Sequence, residues 1–220
     1  MADGAQQGKA MTGIETLAGK RLLFVMAAEP EYGPHLRARF TPLITGVGPV
    51  EAAMRVAWAL AESAGRGQAP DMVVSLGSAG SARLEQGAVY QAHSVSYRDM
   101  DATALGFARG QTPFLDLPPV LPLPVQVPGI ASASLSTGAN IVSGRAYEGI
   151  EADMVDMETF AVLRACQQAG LPLIALRGIS DGASELSKLA DWTEYLHIVD
   201  ERLAGAVDRV ADALGDGTLL

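Results

Sequence analysis

The sequence predicts a three-layer α/β/α fold with a central mixed, mainly parallel sheet. Three observations predict it. Short apolar runs ending in glycine or small residues alternate with segments of helical periodicity. Hydrophobic residues make up 49% of the 220 and charged residues 19%, enough for one sizeable core. The ends of the apolar runs carry glycines and acids, and such sheets gather ligands at the carboxyl ends of their strands.

Taken in order, residues 1–18 have no apolar stretch of the signal-peptide kind and read as a poorly ordered tail. Residues 19–220 read as a single domain, without repeats or a dividing linker. "RLLFVMAA" (21–28) is a continuous apolar run, the pattern of a strand buried on both faces. "PLITGVG" (42–48) is a second strand that breaks at its glycines. "PVEAAMRVAWALAESAG" (49–65) has helical spacing, a proline where a helix tolerates one, and a terminal glycine. "DMVVSLGSAGS" (71–81) is a strand running into a Gly/Ser loop, and "GAVYQAHSVSY" (87–97) alternates as a strand does.

The stretch 112–129 carries six prolines, too many for a helix, and reads as an extended connection. "ADMVDMETFAVLRA" (152–165) passes from a core strand to a core helix, and Cys166 follows in the helical pattern as a small buried residue. "PLIALRGIS" (172–180) is another buried strand. "WTEYLHIVDERLAGAVDRVADAL" (192–214) is a long amphipathic helix.

The formal net charge of −9 argues against unaided nucleic-acid binding and against docking on an anionic membrane. No run is long enough to form a spanning helix. A single cysteine supports neither a disulfide framework nor a thiolate cluster, so a reducing, cytoplasmic setting is the default.

Four strand ends deliver small or acidic residues: Glu29 and Glu31, Gly77 to Gly80, Asp156 and Glu158, and Ser180 with Asp181. Each has an ordinary reading alone. A Gly/Ser run makes tight turns, Glu158 suits a helix first turn, and Asp181 suits an N-cap. Together they suggest a pocket. The three histidines, His35, His93 and His197, do not accompany these acids in a ligand spacing, so no metal is expected. Paired carboxyls suit cleavage of an N-glycosidic bond. One acid protonates the leaving base and another activates water, and an anionic pocket favours the oxocarbenium-like transition state.

The stretches "MAAEPEY" (26–32), "TGVGPVEAA" (45–53), "SLGSAGS" (75–81), "YRDMDATALGF" (97–107) with "GQTP" (110–113), "IVSGRAY" (141–147), "VDMETFAV" (155–162) and "LRGISDGA" (176–183) run in one order along the chain. In them the chain resembles the purine nucleoside phosphorylase superfamily. Within it, the likeness is greatest to the 5′-methylthioadenosine/S-adenosylhomocysteine nucleosidase branch. The resemblance implies hydrolysis without a cofactor, a place in methionine salvage, a homodimer, and roles for particular residues. Glu31 is the base that polarises water, and Asp181 the acid that protonates adenine at N7. Glu158 grips the ribose hydroxyls, with Met157 under the sugar. Ser78, Ala79, Gly80 and Ser180 contact substrate, Tyr147 stacks on adenine, and the Glu148 backbone bonds the base edge. Ala28, Val47 and Trp192 line the 5′ end, joined by Ala102, Leu105, Phe107 and Pro113 of the second chain. Asp156 is expected to be structural.

The chain departs from the family pattern at three places. Arg145 stands where an acid is usual. The proline-rich stretch replaces a helix, leaving that face of the sheet bare or partner-covered. Ala28, Ala102 and Leu105 make a roomier 5′ pocket. Alternatives therefore stay open: a phosphorylase, a hydrolase of another purine nucleoside (a futalosine-like or lipid-linked adenosyl compound), or a non-catalytic nucleoside-binding member of the fold. No arginine sits in the "TGVGPV" or "SLGSAGS" loops to clamp phosphate, which favours water over phosphate. "TGVGPV" lacks the glycine spacing of a dinucleotide loop, which sets hydride transfer aside.

Overall fold

In strand β2 (Lys20–Met26) successive side chains face opposite ways, and both ways are apolar. Leu23 and Val25 enter one hydrophobic cluster, while Leu22, Phe24 and Met26 enter another. Strand β4 (Met72–Gly80) divides in the same manner, Val73 to the first cluster and Met72, Val74 and Leu76 to the second. A sheet with two apolar faces must be covered on both. Helices α2 (Pro49–Gly65) and α3 (Thr159–Ala169) cover one face, and α4 (Leu196–Gly215) covers the other. This is the three-layer α/β/α arrangement that the sequence predicts. The computed structural model describes residues 13–182 and 192–219.

The remaining strands are β1 (Ile14–Leu17), β3 (Leu43–Ile44), β5 (Val89–Tyr97), β6 (Val120–Pro122), β7 (Ser132–Thr137), β8 (Met154–Asp156) and β9 (Leu173–Asp181). The sheet is mixed. β2 is parallel to β3 and β4, β4 to β9, and β7 to β5 and β8. β9 also pairs antiparallel with β5, and the tip of β4 pairs with β8 at Gly80 and Val155. These pairings close β4, β9, β5, β7 and β8 into a ring. The carboxyl ends of β4, β8 and β9 meet on it.

Two expectations change. Ile14–Leu17, inside the segment expected to be a tail, is a strand antiparallel to β2, and Phe24 N donates to Gly13 O at 2.9 Å. The rest of that segment before Gly13 lies outside the described residues. The proline-rich stretch is extended as expected, and it covers part of the sheet itself. It pairs as β6 with β5 and buries its own Leu121, Leu123 and Val127. Gln91 holds it by donating to the Val127 and Ile130 carbonyls and accepting from Val127 N.

Candidate active site

Beyond β2 the chain turns through a 3-10 segment, Glu29–Glu31, into a single helical turn, α1 (Pro34–Arg37). Asp200 of α4 pins this turn. Its carboxylate accepts from His35 N at 2.9 Å and Leu36 N at 3.0 Å, two of the amides that a helix start leaves unpaired. Gly33 is required there, because a Cβ would lie 2.5 Å from the Asp200 carboxyl. The tether sets Glu31 against the end of β4. Glu31 Oε1 accepts from Ser78 N at 2.7 Å and from Ser78 Oγ at 2.6 Å. Glu31 Oε2 is buried with no hydrogen-bond partner, the one such side-chain atom among the described residues. Burial raises the Glu31 pKa, and the Ser78 hydrogen bonds and Arg177 oppose it.

The β4–β9 pairing shifts register between Ala79 and Gly80, which sets Gly80 opposite Asp181. A Cβ on Gly80 would fall 2.2 Å from the Tyr147 hydroxyl and 2.6 Å from Asp181 Oδ2, so only glycine fits. Asp181 is 8% exposed. Ser180 Oγ donates to its Oδ1 at 2.6 Å, and the Tyr147 hydroxyl stands 3.5 Å from its Oδ2. Burial raises the Asp181 pKa against both contacts.

Glu158 stands at the start of α3 and reaches the start of α2, where Gly48 N donates to its Oε1 at 2.8 Å. A helix amino end favours such an anion. Burial and the neighbouring Asp156 charge nevertheless push the Glu158 pKa up to about 7. Asp156 has the structural role expected of it. Its Oδ1 accepts from Thr137 Oγ1, and its Oδ2 accepts from Thr159 N and from Arg177 Nε and Nη2. The Asp156–Arg177 pair is buried on both sides.

These groups surround a cavity of about 490 Å³, lined among others by Ala28, Glu31, Val47, Ser78, Ala79, Gly80, Met157, Glu158, Asp181 and Trp192. A polar void of about 10 Å³, room for about one water, adjoins it between Glu31, Thr45, Ser75, Ser78, Glu158 and Arg177. Trp192 Nε1 donates to Ser78 Oγ at 3.0 Å.

Three expectations about individual residues change. Tyr147 is not in the cavity wall. Its ring is buried with Val142 and Val155, and its hydroxyl is turned to Asp181. Ser180 is fully buried behind Asp181 and serves the carboxylate. Glu148 is exposed on the 3-10 turn Gly144–Gly149, outside the wall. Ala102, Leu105, Phe107 and Pro113, expected in the pocket of a second chain, do not line the cavity of their own. Arg98, Asn140, Ile141 and Val142 are lining residues that sequence reasoning missed. Arg98 spends its guanidinium on the carbonyls of Ser136, Asp156, Gly138 and Asn140 and on the Asn140 side chain, tying the ends of β7 and β8 together. Its position inside the "YRDMDATALGF" block was the available signal.

An α/β fold with acids at three strand ends around one cavity corresponds to a known class. The profile of the phosphorylase superfamily matches residues 39–212, and the chain belongs to that family. A 5′-methylthioadenosine/S-adenosylhomocysteine nucleosidase of Haemophilus influenzae (strain PittEE) is 28% identical over 191 residues, 78% of this chain and 80% of that protein. The nucleosidase of the same name from Colwellia psychrerythraea 34H, solved in complex with adenine, superposes with a TM-score of 0.70 at 25% identity. That match covers 88% of this chain and 94% of the other. Futalosine hydrolase of Helicobacter pylori strain 26695 shares the fold, with a TM-score of 0.72 at 19% identity, covering 87% of this chain and 97% of the other.

Proposed function

We propose that this chain hydrolyses the N-glycosidic bond of 5′-methylthioadenosine and S-adenosylhomocysteine, releasing adenine. The observation that carries this reading is Glu31. One of its oxygens is pinned by Ser78, and the other is bare and buried beside a void that fits one water. A bare buried carboxylate oxygen is costly unless it meets a proton donor. Water there donates to Oε2 and attacks the sugar carbon as the bond to the base breaks. Glu31 takes the water proton, and Asp181 gives its own to N7 of the leaving adenine. Glu158, held at the α2 amino end, meets the ribose hydroxyls. Its charge and that of Glu31 stabilise the cationic sugar. A positioned acid or base of this kind is worth about 10²–10⁴ in rate.

The arginines favour water over phosphate. Arg177 donates to Asp156, Ser75, Thr159 and the Leu176 carbonyl. Arg98 is spent on carbonyls. Among the described residues, neither guanidinium in the walls is left to clamp an anion.

The exposed apolar residues Val50, Met54 and Trp58 recur every four residues on α2, with Val47 beside them at the cavity mouth and Leu105 and Phe114 also exposed. That stripe supports a homodimer in which the partner's Ala102, Leu105, Phe107 and Pro113 close the 5′ end of the pocket. With Cys166 as its single cysteine the chain has no internal disulfide, which suits a reducing cytoplasm, and the proposed substrates suit a role in methionine salvage.

The test is adenine release from methylthioadenosine, S-adenosylhomocysteine, adenosine and inosine, with and without phosphate, on protein sized by light scattering. Phosphate-independent release from the two thio-nucleosides by a dimer is expected. A sugar-1-phosphate product moves the assignment to a phosphorylase. Absence of release from all four means a pocket tuned to another nucleoside, or binding alone.

A further inference from the structure

Trp192 has a polar contact that lining a 5′ pocket does not require. Its indole N–H stands 3.0 Å from Ser78 Oγ, and Ser78 Oγ stands 2.6 Å from Glu31 Oε1. An indole nitrogen donates and cannot accept. Ser78 Oγ therefore accepts from Trp192, and its single hydrogen is left for Glu31. Ser78 N delivers a second hydrogen to the same oxygen at 2.7 Å.

From this geometry we propose that Trp192 is a positioning residue for the base, fixing the Ser78 hydroxyl so that Glu31 Oε1 is always the accepting oxygen and Oε2 alone takes the proton of water. Without the indole, the hydroxyl can turn and donate into the void or the cavity, or accept from a water there. Glu31 then loses a donor from Oε1, and the two oxygens compete for the incoming proton. The chain of contacts runs from the cavity wall at Trp192 to the bare oxygen of Glu31. It links how the 5′ end is filled to how the base is set. The inference rests on the hydrolytic reading above and adds a residue to it.

Trp192→Phe keeps an aromatic ring and removes the N–H. With one hydrogen bond of the base's support removed, kcat for adenine release should fall about 3- to 10-fold. KM should stay within about twofold, because the ring surface remains. Combined with Ser78→Ala, the loss should not exceed that of the larger single substitution, since both act through one hydroxyl. A kcat equal to that of the parent, a rise in KM alone, or losses that multiply would overturn the proposal.

A second reading uses the protein with Trp192 intact. The chain has two tryptophans, Trp58 and Trp192, so two indole N–H resonances are expected. Ser78→Ala should move the Trp192 resonance upfield and leave that of the exposed Trp58 in place. An unmoved Trp192 resonance removes the contact and the proposal with it. If the parent protein releases no adenine, the hydrolytic reading fails, and the resonance still decides whether the contact exists.

Discussion

Ser180 and Tyr147 address different oxygens of Asp181, one at 2.6 Å and one at 3.5 Å. A general acid must carry its proton at working pH. Burial raises the Asp181 pKa, while the two hydroxyl contacts stabilise the charged form and lower it. Tyr147→Phe removes one of the opposing contacts and keeps the ring. Asp181 should then hold its proton to higher pH. The basic limb of the kcat profile should move to higher pH, the acidic limb staying with Glu31. Asp181→Asn, which has no proton to give, should cost about 10²–10⁴ in kcat with the fold retained. A downward shift in Tyr147→Phe, or near-parent turnover in Asp181→Asn, would remove Asp181 from the acid role. The placement of Tyr147 was not legible in the sequence. An aromatic after a Gly-rich turn reads as a stacking group, and only the glycine at position 80 makes room for its hydroxyl beside the acid.

At the scale of elements, Glu31 depends on a turn only a few residues long, which cannot hold its own shape. Asp200, one turn into α4, supplies the missing hydrogen bonds. Asp200→Ala should strand two amides and cost about 1–3 kcal/mol in the denaturant midpoint. It should also lower kcat by loosening the base, although Asp200 does not line the cavity. Unchanged stability together with unchanged kcat would show that the turn stands alone.

The sequence showed the β2, β4, β5 and β9 runs because continuous or alternating apolar residues mark buried strands. It showed helix α2 with its observed bounds because proline and glycine punctuate it. It did not show β7, "SASLST", whose small polar residues become a strand through pairing with β5 and β8. Nor did it show β1 or β6, short edge strands whose pairing supplies what their composition lacks. The candidate acids Glu31, Glu158 and Asp181 were legible because acids at strand ends are anomalous. Arg98 and Asp200 were not, because a charged residue that serves mainly backbone groups looks like any surface charge until the fold is known.

At the scale of the whole molecule, the site costs stability, and the cost depends on pH. Glu31, Glu158 and Asp181 all have pKa values raised by burial, that of Glu158 to about 7 from an ordinary 4.5. Between those two values the folded chain keeps protons that the unfolded chain has released. Stability therefore falls as pH rises through that window and is fully present below it. The depressed aspartates, Asp101, Asp153, Asp208 and Asp216, act the other way, but only below an ordinary aspartate value of 3.8. The ligand-free protein should therefore be more stable at pH 5.5 than at pH 7.5, by on the order of 1–3 kcal/mol, contrary to the usual acid weakening of folded chains. Glu158→Gln should reduce the difference, since a neutral amide has nothing to ionise. Urea midpoints at the two pH values, taken at one fixed protein concentration so that association does not intrude, measure it. A midpoint that rises with pH in the parent, or a difference untouched by Glu158→Gln, would mean that water or a partner chain relieves these carboxylates. The cavity would then not be the poorly solvated site that keeps a proton on Asp181 for the leaving base.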